Sequence, residues 1–213
     1  KYMNSLFEGT HFNGELPLHT SNVITMNRMF CNCKYFDKKL NWDTSNVRNM
    51  SEMFMGCISL NQVLKFKTHN LILMSSIFRD CKSFNQPLNW DTSNVGSLEC
   101  ALEGCCSFNQ PLKWNTVNVI NLNSTFKYCS DFNQPLNWNT KKVKNMDSTF
   151  SNCKSFNQPL NWNTENVISM KCTFSSCYEF NQQLKWNTKN VKTMSRMFEY
   201  SNYNSPIEKL DIS

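Results

Sequence analysis

Leucine and tryptophan stand two residues apart, with Asn or Lys between them, at Leu88 and Trp90, Leu112 and Trp114, Leu136 and Trp138, Leu160 and Trp162, and Leu184 and Trp186. A spacing of two puts both side chains on one side of an extended segment, so a strand of about three to four residues is predicted there. Pro87, Pro111, Pro135 and Pro159 precede the leucine in four of these places. Proline has no N–H to donate, so the ladder should begin only after it. Further on, Val143, Met146, Phe150 and Cys153 are separated by three, four and three residues, the spacing that gathers side chains on one helix face. Asp, Asn, Thr and Ser just upstream are the types that cap orphan N–H groups. Each unit therefore predicts a strand, a capped turn, a two-turn helix and a return.

The unit recurs without insertion or deletion. Equivalents of Met26 fall at Met50, Met74, Leu98, Leu122, Met146, Met170 and Met194, each 24 residues on, and a 23-residue rung from Met3 precedes them. Phe36, Leu60, Phe84, Phe108, Phe132, Phe156 and Phe180 form another apolar column, and an unbroken threonine column runs from Thr44 to Thr188. A lone rung has too little core to fold and needs a neighbour on each side. The chain thus reads as one domain over residues 1–213. Its expected fold is an α/β, leucine-rich-repeat-like, right-handed solenoid of about nine rungs, each a short parallel β-strand, capped turn and short helix. The rungs start near residues 3, 26, 50, 74, 98, 122, 146, 170 and 194. The last is incomplete at Ser213, with Leu210 in the tryptophan place, and such an open edge predicts further chain or a partner there.

The string running from Phe78 to Leu98, and again from Phe126 to Met170, has the form Phe-x-x-Cys-x-x-Phe-Asn-Gln-Pro-Leu-x-Trp-(Asp/Asn)-Thr-x-x-Val. It resembles the BspA-type leucine-rich repeats, in the subgroup noted in mycoplasma surface lipoproteins and expanded in giant DNA viruses. The likeness spans almost the whole chain. It implies a right-handed solenoid and, for bacterial members, surface adhesion or interaction. No catalytic residues come with it.

Composition narrows the function. The chain has 16 Phe but only 5 Gly and 3 His, a thin stock of acid and base groups. His11, His19 and His69 lie in variable places and read as solvated. Phosphate-loop, nucleophile-elbow and zinc-protease motifs are missing. An enzyme is not expected, nor any cofactor. Eleven cysteines would suggest a disulfide scaffold, but Cys33, Cys57, Cys81, Cys105, Cys129, Cys153 and Cys177 are each 24 apart. Parallel side chains on stacked rungs hold Cβ atoms too far apart for disulfides and do not converge as zinc ligands must. Buried free thiols and no metal are expected, with folding in a reducing compartment.

No apolar stretch is long enough to span a bilayer. The net charge of +6 is spread over many segments, and the tryptophans belong to a core column, so nucleic-acid binding is not expected. The asparagine column that includes Asn61 and Asn85 reads as stacked amides bonding turn backbone. One column alternates: Ile24, Arg48, Ile72, Gly96, Ile120, Lys144, Ile168, Lys192. A row of isoleucines two rungs apart on one side of a rod marks a contact surface. Ile72, Ile120 and Ile168 are the candidate interface residues, exposed and facing a protein partner or another copy. A virion component or host-interaction scaffold, in the virion or host cytoplasm, is the favoured reading; a bacterial cell-surface adhesin is the alternative.

Overall fold

The computed structural model describes residues 1–205. Leu210 and the end of the last rung, residues 206–213, lie outside the described residues. Among the described residues the expected strands and helices are not formed, so the α/β solenoid of strand and helix is incorrect. What is present instead is a stack of turns and extended segments. Isolated parallel bridges pair Tyr2 with Thr25, Thr25 with Asn49 and Asn49 with Leu73, and then Ser97 with Asn121, Asn121 with Asn145, Asn145 with Ser169 and Ser169 with Thr193.

The segment expected to be helical is a chain of consecutive turns. In the second rung the N–H groups of Met29, Cys31 and Cys33 close back on the carbonyls of Met26, Arg28 and Phe30. The alternate N–H groups, of Met26, Arg28, Phe30 and Asn32, reach the next rung at Asn49, Ser51, Met53 and Met55, at 2.6–3.0 Å. A left-handed residue at every fourth position makes this possible, with φ of 58° at Arg28 and 61° at Asn32 and equivalents at Glu52, Asp80, Ser124, Tyr128, Ser148 and Asn152. No α-helix tolerates positive φ. Each costs a non-glycine residue roughly 1–2 kcal/mol. Four inter-rung bonds, at about 1 kcal/mol net each, offset two such residues per rung. The turns still send Met26, Met29, Phe30 and Cys33 inward. That is the helical spacing read from the sequence.

The Leu-x-Trp segment points as expected but does not pair. Its leucines and tryptophans are buried. Trp114, Trp138, Trp162 and Trp186 stack with centroids 6.0–6.3 Å apart. A β-ladder needs roughly 4.8 Å. The lateral tie is a side-chain bond instead: indole Nε1 of Trp162 donates to the Leu136 carbonyl at 3.0 Å, and Trp42, Trp90, Trp114, Trp138 and Trp186 do likewise one rung back. Phe66 has no N–H to donate.

Ring spacing falls from the tryptophans to Phe126, Phe150 and Phe174, 5.5–5.6 Å apart and nearly parallel, and backbone bridges close the opposite corner.

One interface departs from the pattern. Ile24, Arg48, Gly96, Ile120, Lys144 and Ile168 each accept, through their carbonyls, the N–H one rung later, but the described residues show no such bond from Gly96 N–H to Ile72, nor from Met74 N–H to Ser97. The buried Thr68 hydroxyl beside this gap has no partner, whereas Thr44, Thr92, Thr116, Thr140 and Thr164 each donate to the next rung.

Candidate functional site

Most polar side chains are committed to holding rungs together. Oδ1 of Asn109 accepts both the Asn133 N–H and Nε2 of Gln134 at 3.0 Å, and Asn61, Asn85, Asn133 and Asn157 do the same for their neighbours. Asp37 takes the same role. The column that begins at Asn61 and Asn85 is thus a ladder of amides on turn backbone, as expected.

The cysteines are free. The seven in register are buried, and each thiol lies 2.7–3.1 Å from the carbonyl of a residue in the preceding rung, Cys105 on Phe78 and Cys177 on Phe150 among them. Sequence reasoning treated them as small apolar residues and missed this donor role, for which spacing carries no signal. Burial pushes the thiols of Cys81, Cys105, Cys129 and Cys153 well above their ordinary range and that of Cys177 up to about 12. Protonated thiols aimed at separate carbonyls are neither nucleophiles nor a metal cluster.

The charged clusters tie rungs together too. Arg28 is clasped by Glu8 below and Glu52 above, which holds the Glu8 carboxyl below its usual range through the Arg28 hydrogen bond. The nearly buried Glu103 lies 3.4 Å from Arg79 and 3.9 Å from Lys127. His11, His19 and His69 are exposed.

The isoleucine column is different. Each valine or leucine before it is fully inward, so the next side chain points out: Ile24, Ile72, Ile120 and Ile168 are 43, 45, 49 and 39 % exposed. Backbone bonds of 2.8–2.9 Å from Lys144 to Ile120, Ile168 to Lys144 and Lys192 to Ile168 fix this edge. Beside it, Asn46, Asn70, Asn94, Asn118, Asn166 and Asn190 each donate from Nδ2 to a carbonyl one rung back. Two shallow depressions open along the edge. One, of about 400 Å³, is lined by Asn22, Ile24, Asn46, Arg48 and Asn70. The other, of about 540 Å³, has Ile120 among Lys141, Lys142, Lys144 and Asn166. The structure thus brings Ile72, Ile120 and Ile168 onto one outward edge.

Comparison with known families places the repeat. A family model described as Mycoplasma protein of unknown function, DUF285, matches residues 1–112, 88–184 and 136–213. The chain belongs to the DUF285 family. Overlapping matches are what a periodic chain produces, since a repeat aligns equally well a whole number of rungs away. No curated protein and no solved structure matches the chain significantly. Among the described residues, no helix of this DUF285 protein is long and apolar enough to cross a membrane.

Proposed function

We propose that this protein is a non-enzymatic interaction scaffold whose contact surface is the isoleucine edge. The observation that carries the reading is a row of four isoleucines, 39–49 % exposed, on a corner tied by backbone bonds on either side of the break between Ile72 and Gly96, in a chain whose other apolar columns are buried. Aligned exposed apolar groups on a repeat stack suit association. The reading is supported by the use of chemistry-bearing groups as rung ties: thiols as donors, and Arg28 and Glu103 inside ion ladders.

Two settings suit such a scaffold. Free thiols that serve as hydrogen-bond donors favour folding in reducing surroundings, as for a virion component or host-interaction scaffold made in cytoplasm. The DUF285 match, together with the likeness to the BspA-type repeats of mycoplasma surface lipoproteins, favours a bacterial surface adhesin. Titrating free thiols in freshly isolated, denatured protein separates them, since a near-complete set supports the first and mostly oxidised cysteine the second. The contact surface itself is tested by replacing Ile72, Ile120 and Ile168 together with Ser. The variant should melt as the parent does yet lose its copurifying partner or its self-association on a sizing column. Unchanged assembly would overturn the reading.

A further inference from the structure

We infer that the later part of the isoleucine edge binds an acidic, extended peptide segment that carries an apolar residue at every third position. This rests on the edge being a contact surface and adds what lies on it.

Charge is the first argument. Lys141, Lys142 and Lys144 in one rung, and Lys189 and Lys192 two rungs later, are exposed on this corner. Arg28, Lys67, Arg79, Lys127 and Arg196 face carboxylates within ion-pair distance, whereas the remaining lysines are scattered singly or in pairs and this corner gathers five. Among the described residues none of the five corner lysines faces a carboxylate so closely, and Lys142 meets only the amide oxygen of Asn118, at 2.8 Å. Glu165, in the column of Lys141 and Lys189, is the one carboxylate that the rung between them puts on this corner, which leaves the five lysines in excess, and an anionic partner relieves the repulsion among them. A second copy does not, because an isologous contact would set lysine against lysine.

Shape and chemistry narrow the anion. The depression of about 540 Å³ is lined by Ile120, Lys141, Lys142, Lys144 and Asn166. An apolar side chain flanked by carboxylates fills both requirements. A phosphate backbone leaves the isoleucines without a partner, and the tryptophans that could stack on bases are buried.

Pitch supplies the third argument. Ile120 and Ile168 are two rungs apart, about 9.6 Å at ladder spacing. A polyproline II segment turns once every three residues and rises about 9.3 Å in doing so. Its every third side chain therefore meets one isoleucine, and the carboxylates between reach Lys144 and Lys192. A β-strand returns to the same face every ~6.7 Å and falls out of register after one step.

The test is fluorescence polarisation of a labelled peptide of repeated Glu-Pro-Leu triplets with the full chain, against a peptide of equal composition whose leucines are gathered at one end. The periodic peptide should bind about tenfold tighter, and its binding should weaken with salt. Lys144→Glu with Lys192→Glu should cost about tenfold at low salt and less at high salt. Ile120→Ser with Ile168→Ser should weaken binding at low and high salt alike. Both double variants should melt as the parent does. Equal affinity for the two peptides, or indifference to either double variant, overturns the inference. So does lysine-dependent binding to vesicles of phosphatidylcholine and phosphatidylglycerol without peptide binding. If the peptide fails while the triple isoleucine variant still loses its assembly, the partner's chemistry is wrong and the contact surface stands.

Discussion

The thiol of Cys153 lies 2.8 Å from the carbonyl of Phe126, 27 residues earlier in the chain. That carbonyl already accepts the Cys129 N–H at 2.9 Å, so the cysteine uses its second lone pair. The bond needs a protonated sulfur, and burial keeps it so.

Stability should therefore fall in mild alkali. An unfolded thiol ionises near pH 8.5, while those of Cys81, Cys105, Cys129 and Cys153 are held protonated well above their ordinary range in the fold. The unfolded chain then loses protons first. The stabilisation is complete below about pH 8.5 and declines as pH rises toward the folded values, by up to about 1.4 kcal/mol per pH unit for each thiol. Urea midpoints measured across that range should drop steeply, and a flat profile would count against protonated donors.

Replacing Asn109 with Ala strips one acceptor from two donors, the Asn133 N–H and the Gln134 amide. The expected loss is about 1–3 kcal/mol. Asn109→Asp should be far milder, because Asp37 already makes the same two bonds in its own rung. Chemical denaturation of the pair decides it, and equal losses would show that the amide oxygen is not the active atom.

Trp138 is buried between the rings of Trp114 and Trp162. Its replacement by Ala should cost about 3 kcal/mol or more through the cavity left behind. Trp138→Phe keeps most of the volume and loses the indole bond to Leu112, so about 1 kcal/mol is expected. Melting curves that place the two variants together would mean that ring volume is not what the column supplies.

The unpartnered hydroxyl of Thr68 makes a contrast with Thr140, whose Oγ1 donates to Asn163 at 2.8 Å. Thr140→Val should destabilise by about 1 kcal/mol, whereas Thr68→Val should be neutral or stabilising, since a buried polar atom without a bond is a cost. Equal destabilisation by the two would show that Thr68 is bonded in solution.

The inside and outside of the rung were legible in the sequence because burial follows side-chain spacing alone. Trp138, Leu136, Phe132 and Val143 are all in the core where the pattern put them. Backbone conformation was less legible. A run of turns with a left-handed residue at every fourth place delivers Met146, Phe150 and Cys153 to the same face as a helix does; the column of Asn32, Gly56, Asp80, Gly104 and Asn152 carries the left-handed preference of its residue types, but the column of Ser148, with φ of 53°, does not. The missing strand has a similar cause. Leu160 and Trp162 alternate like strand residues, but the spacing between tryptophan rings is a property of the stack and no single rung encodes it. The exposed isoleucines were visible as an alternation. The grouping of Lys141, Lys142 and Lys144 with Lys189 and Lys192 emerges only when rungs are laid on one another.

The amide ladder also says how such a chain can grow or shrink. Asn133 N–H meets Asn109, and Asn157 N–H meets Asn133, each 24 residues back. One residue inserted between Asn109 and Asn133 would carry that one donor past its acceptor, while Asn157 and Asn133 would stay in step. Excising residues 122–145, however, joins Asn121 to Met146, and an asparagine again precedes the inward apolar residue just as Asn145 does now. A point insertion breaks a rung contact, whereas a whole-rung deletion keeps the stack in register even where, as here, it removes Lys141, Lys142 and Lys144, so the unit in which the fold tolerates a change of length is the rung.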